Sequence, residues 1–98
     1  MAGDSATFTV PVPVPGSYEV KLGMRKTRES GIVQLSIDGV NQADAKDAYS
    51  PKVEYAVVDI GRVTFAEAGN KAFKFLLAGR NQNSLGYQFA LDYIELAR

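Results

Sequence analysis

Apolar residues recur at every second position through most of the chain. Phe8, Val10, Val12 and Val14 alternate with Thr7, Thr9, Pro11, Pro13 and Pro15. Period two marks a strand with one buried face. Proline has no N–H to give to a ladder, so this strand is expected at a sheet edge. Pro15-Gly16-Ser17 signals a turn. Tyr18, Val20, Leu22 and Met24 then alternate with Glu19, Lys21, Gly23 and Arg25, which predicts a half-buried strand with a wet face. Val33, Leu35 and Ile37 form the next apolar face, and Asp38-Gly39 predicts a tight hairpin turn into a short return at Val40-Asn41-Gln42. Phe73, Phe75 and Leu77 give another strand, ending at Gly79. The last stretch, Gly86 to Leu96, is rich in aromatic and branched side chains. It is expected to run as a long strand through the middle of a sheet, with Phe89, Leu91 and Tyr93 on one face.

Several segments interrupt the alternation. Lys26 to Ser30 is charged and reads as a loop. Ala43 to Lys52 has no strand character, and its Asp, Ser and Pro residues suit a surface loop around the one large side chain, Tyr49. Val53, Tyr55 and Val57 share one parity and Val58 and Ile60 the other, which predicts a bulge or a change of sheet between them. Gly61 is expected to separate that strand from Val63 and Phe65. About eight short strands with regular turn signals predict an all-β fold, a two-sheet antiparallel β-sandwich of jelly-roll-like form. The chain is expected to be a single domain over residues 1–98, with residues 1–5 an added or disordered start.

Composition narrows the chemistry. The 98 residues contain no Cys and no His, and 11 basic residues balance 11 acidic ones. A thiolate or imidazole nucleophile, base or metal ligand is therefore excluded, and any metal would be a hard cation held by oxygen. The serines have no His partner for a hydrolase triad. An enzyme is not expected. No apolar run approaches the roughly 20 residues of a helical membrane span. Nucleic acid and membrane are not expected as partners, because the one basic cluster is Lys21, Arg25, Lys26 and Arg28. That cluster reads most simply as a solvated strand face and loop; binding an acidic sugar is the sharper alternative.

The order of segments carries a resemblance. Tyr-Glu-Val-Lys-Leu is followed by Gly31-Ile32-Val33-Gln34-Leu35-Ser36-Ile37-Asp38-Gly39, an Asp-Ala-Tyr-Ser loop and a Gly-Asn-Lys hairpin. The Gly79-Arg80-Asn81-Gln82-Asn83-Ser84 loop and Gly-Tyr-x-x-x-Leu-Asp-Tyr-Ile-Glu-Leu complete it. This resembles the galactose-binding-like β-sandwich domains and carbohydrate-binding modules appended to bacterial glycoside hydrolases and related secreted proteins. The resemblance implies a non-catalytic module that tethers a parent catalytic domain to an oligo- or polysaccharide, secreted or at the cell surface as part of a larger protein. It also implies that a structural calcium is possible though not required, with Asp92 as a ligand. The opening segment here, Ala2 to Ala6, lacks the Glu pair that such modules supply.

Sugar recognition places a ring against the C–H face of a pyranose and directs polar groups at its hydroxyls. Arg80, Asn81 and Asn83 in the loop, with Tyr87 at its exit and Tyr49 in the long loop, are the candidate carbohydrate-binding residues. Each has a plainer role. Asn bonds its own loop backbone, Tyr49 pins its loop to the sandwich, and Tyr87 packs at the rim. The alternative function is a structural accessory domain that packs on a parent enzyme or self-associates.

Overall fold

The structure, a computed structural model, describes residues 3–98. Seven strands are formed among them: β1 (Ser5–Val12), β2 (Gly16–Lys26), β3 (Ile32–Ile37), β4 (Val40–Asp47), β5 (Glu54–Phe65), β6 (Gly69–Gly79) and β7 (Ala90–Ala97). They make a four-stranded sheet, in the order β1-β6-β3-β4, and a three-stranded sheet, in the order β5-β2-β7. Every pairing between these strands is antiparallel. The fold is the expected β-sandwich.

The core lies between the two sheets and follows the alternation. Tyr18, Val20, Leu22 and Met24 of β2 are buried against Val33, Leu35 and Ile37 of β3 and Phe73 and Phe75 of β6. Burying an aliphatic or aromatic side chain of this size stabilises by roughly 1.5–3 kcal/mol relative to exposure. The proline-bearing β1 does lie at a sheet edge. Its Pro11 and its neighbours pair with β6 on one side only, so the missing donor is tolerated. Pairing begins before the strand proper, because Gly3 N donates to Leu77 O at 2.8 Å and Leu77 N to Asp4 O at 2.8 Å. Of the expected added or disordered start, residues 1 and 2 lie outside the described residues. Asp38 and Gly39 turn the β3–β4 hairpin with φ of 49° and 87°, the left-handed pair that a tight hairpin needs.

Four expectations change. The segment from Ala43 to Asp47 is not loop but the end of β4. Residues 43–45 stand opposite Gln34 alone, and the Gln34 amide fills that widened gap by donating to Gln42 O and Ala43 O, each at 3.2 Å. The strand from Glu54 runs unbroken to Phe65, through Gly61. Its register is regular across Val57 and Val58, and the irregularity falls at Ile60, which has no partner between Asp59 and Gly61. Val53, Tyr55 and Val57 simply face outward and are exposed.

The last strand is the third difference. It is an edge strand of its sheet, and β2 takes the centre. β2 can do so because both of its edges are free of proline and its residues pair with β5 and β7 at once. The fourth difference is the facing of Tyr93. Leu91 pairs with Met24 and Tyr93 with Gly23, leaving Asp92 unopposed as a bulge. One extra residue flips the parity. Leu91, Ile94 and Leu96 pack against the core, and Tyr93 turns out to solvent.

Outside, the Tyr93 ring lies over Gly23, where an added Cβ would overlap it. The two are therefore coupled. Gly23→Ala is expected to lift the ring and to cost up to about 1 kcal/mol. In a Tyr93→Ala background the same change is expected to be neutral or stabilising, because alanine suits a strand better than glycine. Urea unfolding of the four proteins in the cycle measures the coupling.

Candidate functional site

Three loops meet at one end of the sandwich, and backbone bonds fuse them. The turn after β2 is closed by Ser30 N donating to Thr27 O and by Thr27 Oγ1 lying 3.0 Å from Ser30 Oγ. The loop after β4 joins it through Ser50 N to Thr27 O at 3.0 Å and Ala48 N to Gly31 O at 3.1 Å. The segment before β7 joins it through Leu85 N to Arg28 O at 2.7 Å, Gln88 N to Glu29 O at 2.8 Å and Gly31 N to Gln88 O at 2.8 Å. Ser84 is the pin. Its hydroxyl is buried within 2.7 Å of Ser30 O, 3.2 Å of Arg28 O and 3.3 Å of Gly86 N. Gly86 passes so close that an added Cβ would stand 3.2 Å from Glu29 O.

The five candidate sugar contacts lie on these loops, and the segments carrying Tyr49 and Asn81 reach the same rim. Asp47 joins them: its Oδ1 accepts from Tyr49 N at 2.9 Å and its Oδ2 from the Asn81 amide at 2.8 Å. The Asn81 Oδ1 accepts from Asn83 N at 2.9 Å. Both ends of the Asn81 side chain are thus engaged in holding the loop, the usual work of asparagine in a turn. Arg80 donates to Ser84 O at 3.1 Å, and its guanidinium sits 5.4 Å from the centre of the Tyr87 ring. Tyr49 is half-buried and bridges to Thr27, whereas Asn83 is exposed. Asp92 belongs elsewhere, on the bulge of β7. Among the described residues no three acidic side chains gather into a group that could hold a metal.

The rim carries a hollow that the pattern of the sequence did not single out. It measures about 440 Å³ and is walled by Arg25, Thr27, Arg28 and Glu29 on one side and by Pro51, Lys52 and Val53 on the other, with Gln88 beside them. None of the five candidate residues lines it. Arg25 also belongs to the outer face of the three-stranded sheet, where it pairs with Tyr55, as Gly23 pairs with Val57 and Tyr93. Tyr55 and Tyr93 are 70% and 46% exposed, so two rings and the hollow occupy one continuous surface. The signal in the sequence was the outward parity of Val53, Tyr55 and Val57, read instead as a bulge. Lys21, farther along β2, is engaged differently. It lies 3.2 Å from Glu19, whose hydrogen bond and charge hold its ammonium above the ordinary lysine range.

Ser84→Ala tests whether the rim is one unit. It leaves buried carbonyl and amide groups without their shared partner, which costs about 1–3 kcal/mol. Faster amide exchange is expected together at Leu85, Gly86 and Gln88, with β1 and β6 unchanged; hydrogen exchange read by NMR checks it.

No protein-family model matches the chain. No curated protein matches it either. Among solved structures, a Paenibacillus xanthan lyase superposes with a TM-score of 0.92 and 34% identity over 99% of this chain. The chain spans 9% of that lyase's length. In fold and in about a third of its residues, this sandwich is similar to one small part of a polysaccharide-acting enzyme.

Proposed function

We propose that the chain is a non-catalytic carbohydrate-binding module, an accessory sandwich that holds a glycan-active parent enzyme against its polysaccharide outside the cell. The observation that carries this reading is the similarity to a small portion of a xanthan lyase, 34% identical and complete over the fold. A unit this small beside so much more chain is suited to an accessory role. The surface agrees with the chemistry. Two exposed tyrosine rings offer area for the C–H face of a pyranose, and the adjoining hollow falls within the roughly 300–1,000 Å³ of small-ligand sites. The chain holds no His and no Cys. At the rim, Ser84 and Asp47 are engaged in holding the loops.

A second reading rests on a separate feature. The apolar layer is open along one side, where Phe8 is 45% exposed and Ala6, Phe75, Leu77 and Phe89 border a hollow of about 170 Å³. Such a seam suits packing against a parent domain or a second copy. Sedimentation velocity separates the two: the packing reading expects self-association, or binding to the parent's catalytic domain.

The leading reading expects retarded migration in gels containing polysaccharide, and saturable heat in calorimetry. The panel covers xanthan, neutral β-glucans and uronate polymers. Silence across it would remove the carbohydrate reading and leave the packing one.

A further inference from the structure

We infer that the hollow between Arg25, Arg28 and Lys52 takes the carboxylate of an acidic sugar, a uronate or a sugar bearing an acidic substituent. The inference rests on the carbohydrate-binding reading and specifies its ligand. Neither the resemblance nor the five rim residues supplied this site.

The first argument is unspent charge. Among the described residues Lys26, Lys46, Lys71 and Lys74 also lack a side-chain partner; what sets Arg25, Arg28 and Lys52 apart is that all three line one hollow. Other cations are engaged. Arg62, Arg80 and Arg98 each donate to a backbone carbonyl, and Lys21 pairs with Glu19. Among the described residues, the side chains of Arg25, Arg28 and Lys52 enter no hydrogen bond, ion pair or ring contact. Three free cations facing one hollow repel one another, and a bound anion relieves that repulsion. Arginine adds a planar fork that matches a carboxylate with two parallel hydrogen bonds.

The second argument is rigidity. The backbone on which Arg28 stands gives its carbonyl to Leu85 N at 2.7 Å and to the Ser84 hydroxyl at 3.2 Å. Lys52 N lies 3.4 Å from the Ser50 hydroxyl, which in turn donates to Glu54 at 2.6 Å. Arg25 rises from the central strand of its sheet. The donors thus stand on frames that need little ordering when a ligand arrives, and such preorganisation strengthens binding.

The third argument selects a sugar acid over a polyanion. Glu29 borders the same hollow. Its carboxylate opposes a continuous line of negative charge and tolerates one acidic group on a neutral, hydroxylated body. Gln88 in the wall offers an amide to hydroxyls, and Tyr55, paired with Arg25 across the sheet, offers a ring. A nucleic acid would need a longer basic track than three side chains provide.

The test is calorimetry on the whole chain with oligosaccharides of glucuronate, galacturonate and mannuronate, each beside its carboxyl-reduced counterpart. The expected result is that at least one uronate binds, and that its reduced form binds roughly tenfold more weakly or worse. In the Arg28→Gln, Lys52→Gln double variant, whose substitutions are exposed and whose melting is checked by circular dichroism, uronate affinity is expected to fall by at least about tenfold. Equal binding of the reduced sugar overturns the inference, as does uronate binding unchanged in the variant. Competition by polyglutamate or duplex DNA at the same concentrations also overturns it, since the hollow would then be a general anion patch. If neutral glycans bind and the variant is unaffected, the carbohydrate reading stands without this site. If no glycan binds at all, both fall.

Discussion

Strand β2 is the constraint on which the structure depends. It is paired along both edges, and its alternate residues from Tyr18 to Met24 are the most deeply buried run in the chain. One strand therefore fixes the register of both neighbours and the inner face of the three-stranded sheet at once. A slip of one residue would send Val20, Leu22 and Met24 to solvent and bury Lys21 and Arg25. The same alternation decides what the outer face can carry. Glu19, Lys21, Gly23 and Arg25 must point away from the core because their neighbours must point into it. The side chains on that face are thus held in place by the requirement of burial.

The bulges complete this division of labour. A strand with perfect period two would place Tyr93 beside Leu91 in the core, where Met24 and Leu22 already fill the space on the partner strand. The unopposed Asp92 turns the strand by one residue and delivers the ring to the outer surface. There Gly23 leaves the room that any Cβ would take. Neither feature makes sense alone. The glycine weakens its strand unless a ring covers it, and the ring needs a flat bed. Together they form a rigid aromatic surface beside Arg25.

Much of the fold was legible because burial imposes a period that the chain displays openly. Prolines on the off-beat of β1 marked an edge, and Asp38-Gly39 marked the hairpin, each for a local steric reason. What could not be read was set by partners distant in sequence. Nothing within Tyr87 to Leu96 says that Asp92 lacks an opposite residue, because that depends on where Gly23 and Met24 stand. The centre of a sheet belongs to whichever strand finds two partners, and the aromatic richness of the last stretch suggested the wrong one. At the rim, Asn81 and Ser84 read as polar loop residues of either kind, and their contacts with Asp47 and with the carbonyls of Arg28 and Ser30 show them engaged in structure. The basic cluster was visible as four residues, yet topology divides it: Lys21 pairs with Glu19, and Lys52, distant in sequence, joins Arg25 and Arg28.

That division bears on how a sandwich this small would hold a glycan under the proposed reading. A sugar offers little apolar area, and its hydroxyls are as well satisfied by water as by protein, so polar contacts on mobile loops contribute little net affinity. Two devices raise the yield. One is a ring already lying flat, which excludes water from a C–H face without being ordered first. The other is a charge whose own desolvation is modest because it stands at a rim, on a backbone that other bonds hold still. The proposed site has both on one surface, and the Asn81 side chain reinforces the loop frame beside it. On the proposed reading the hydrogen-bonded rim frames the hollow, and Arg25 links the aromatic face to it.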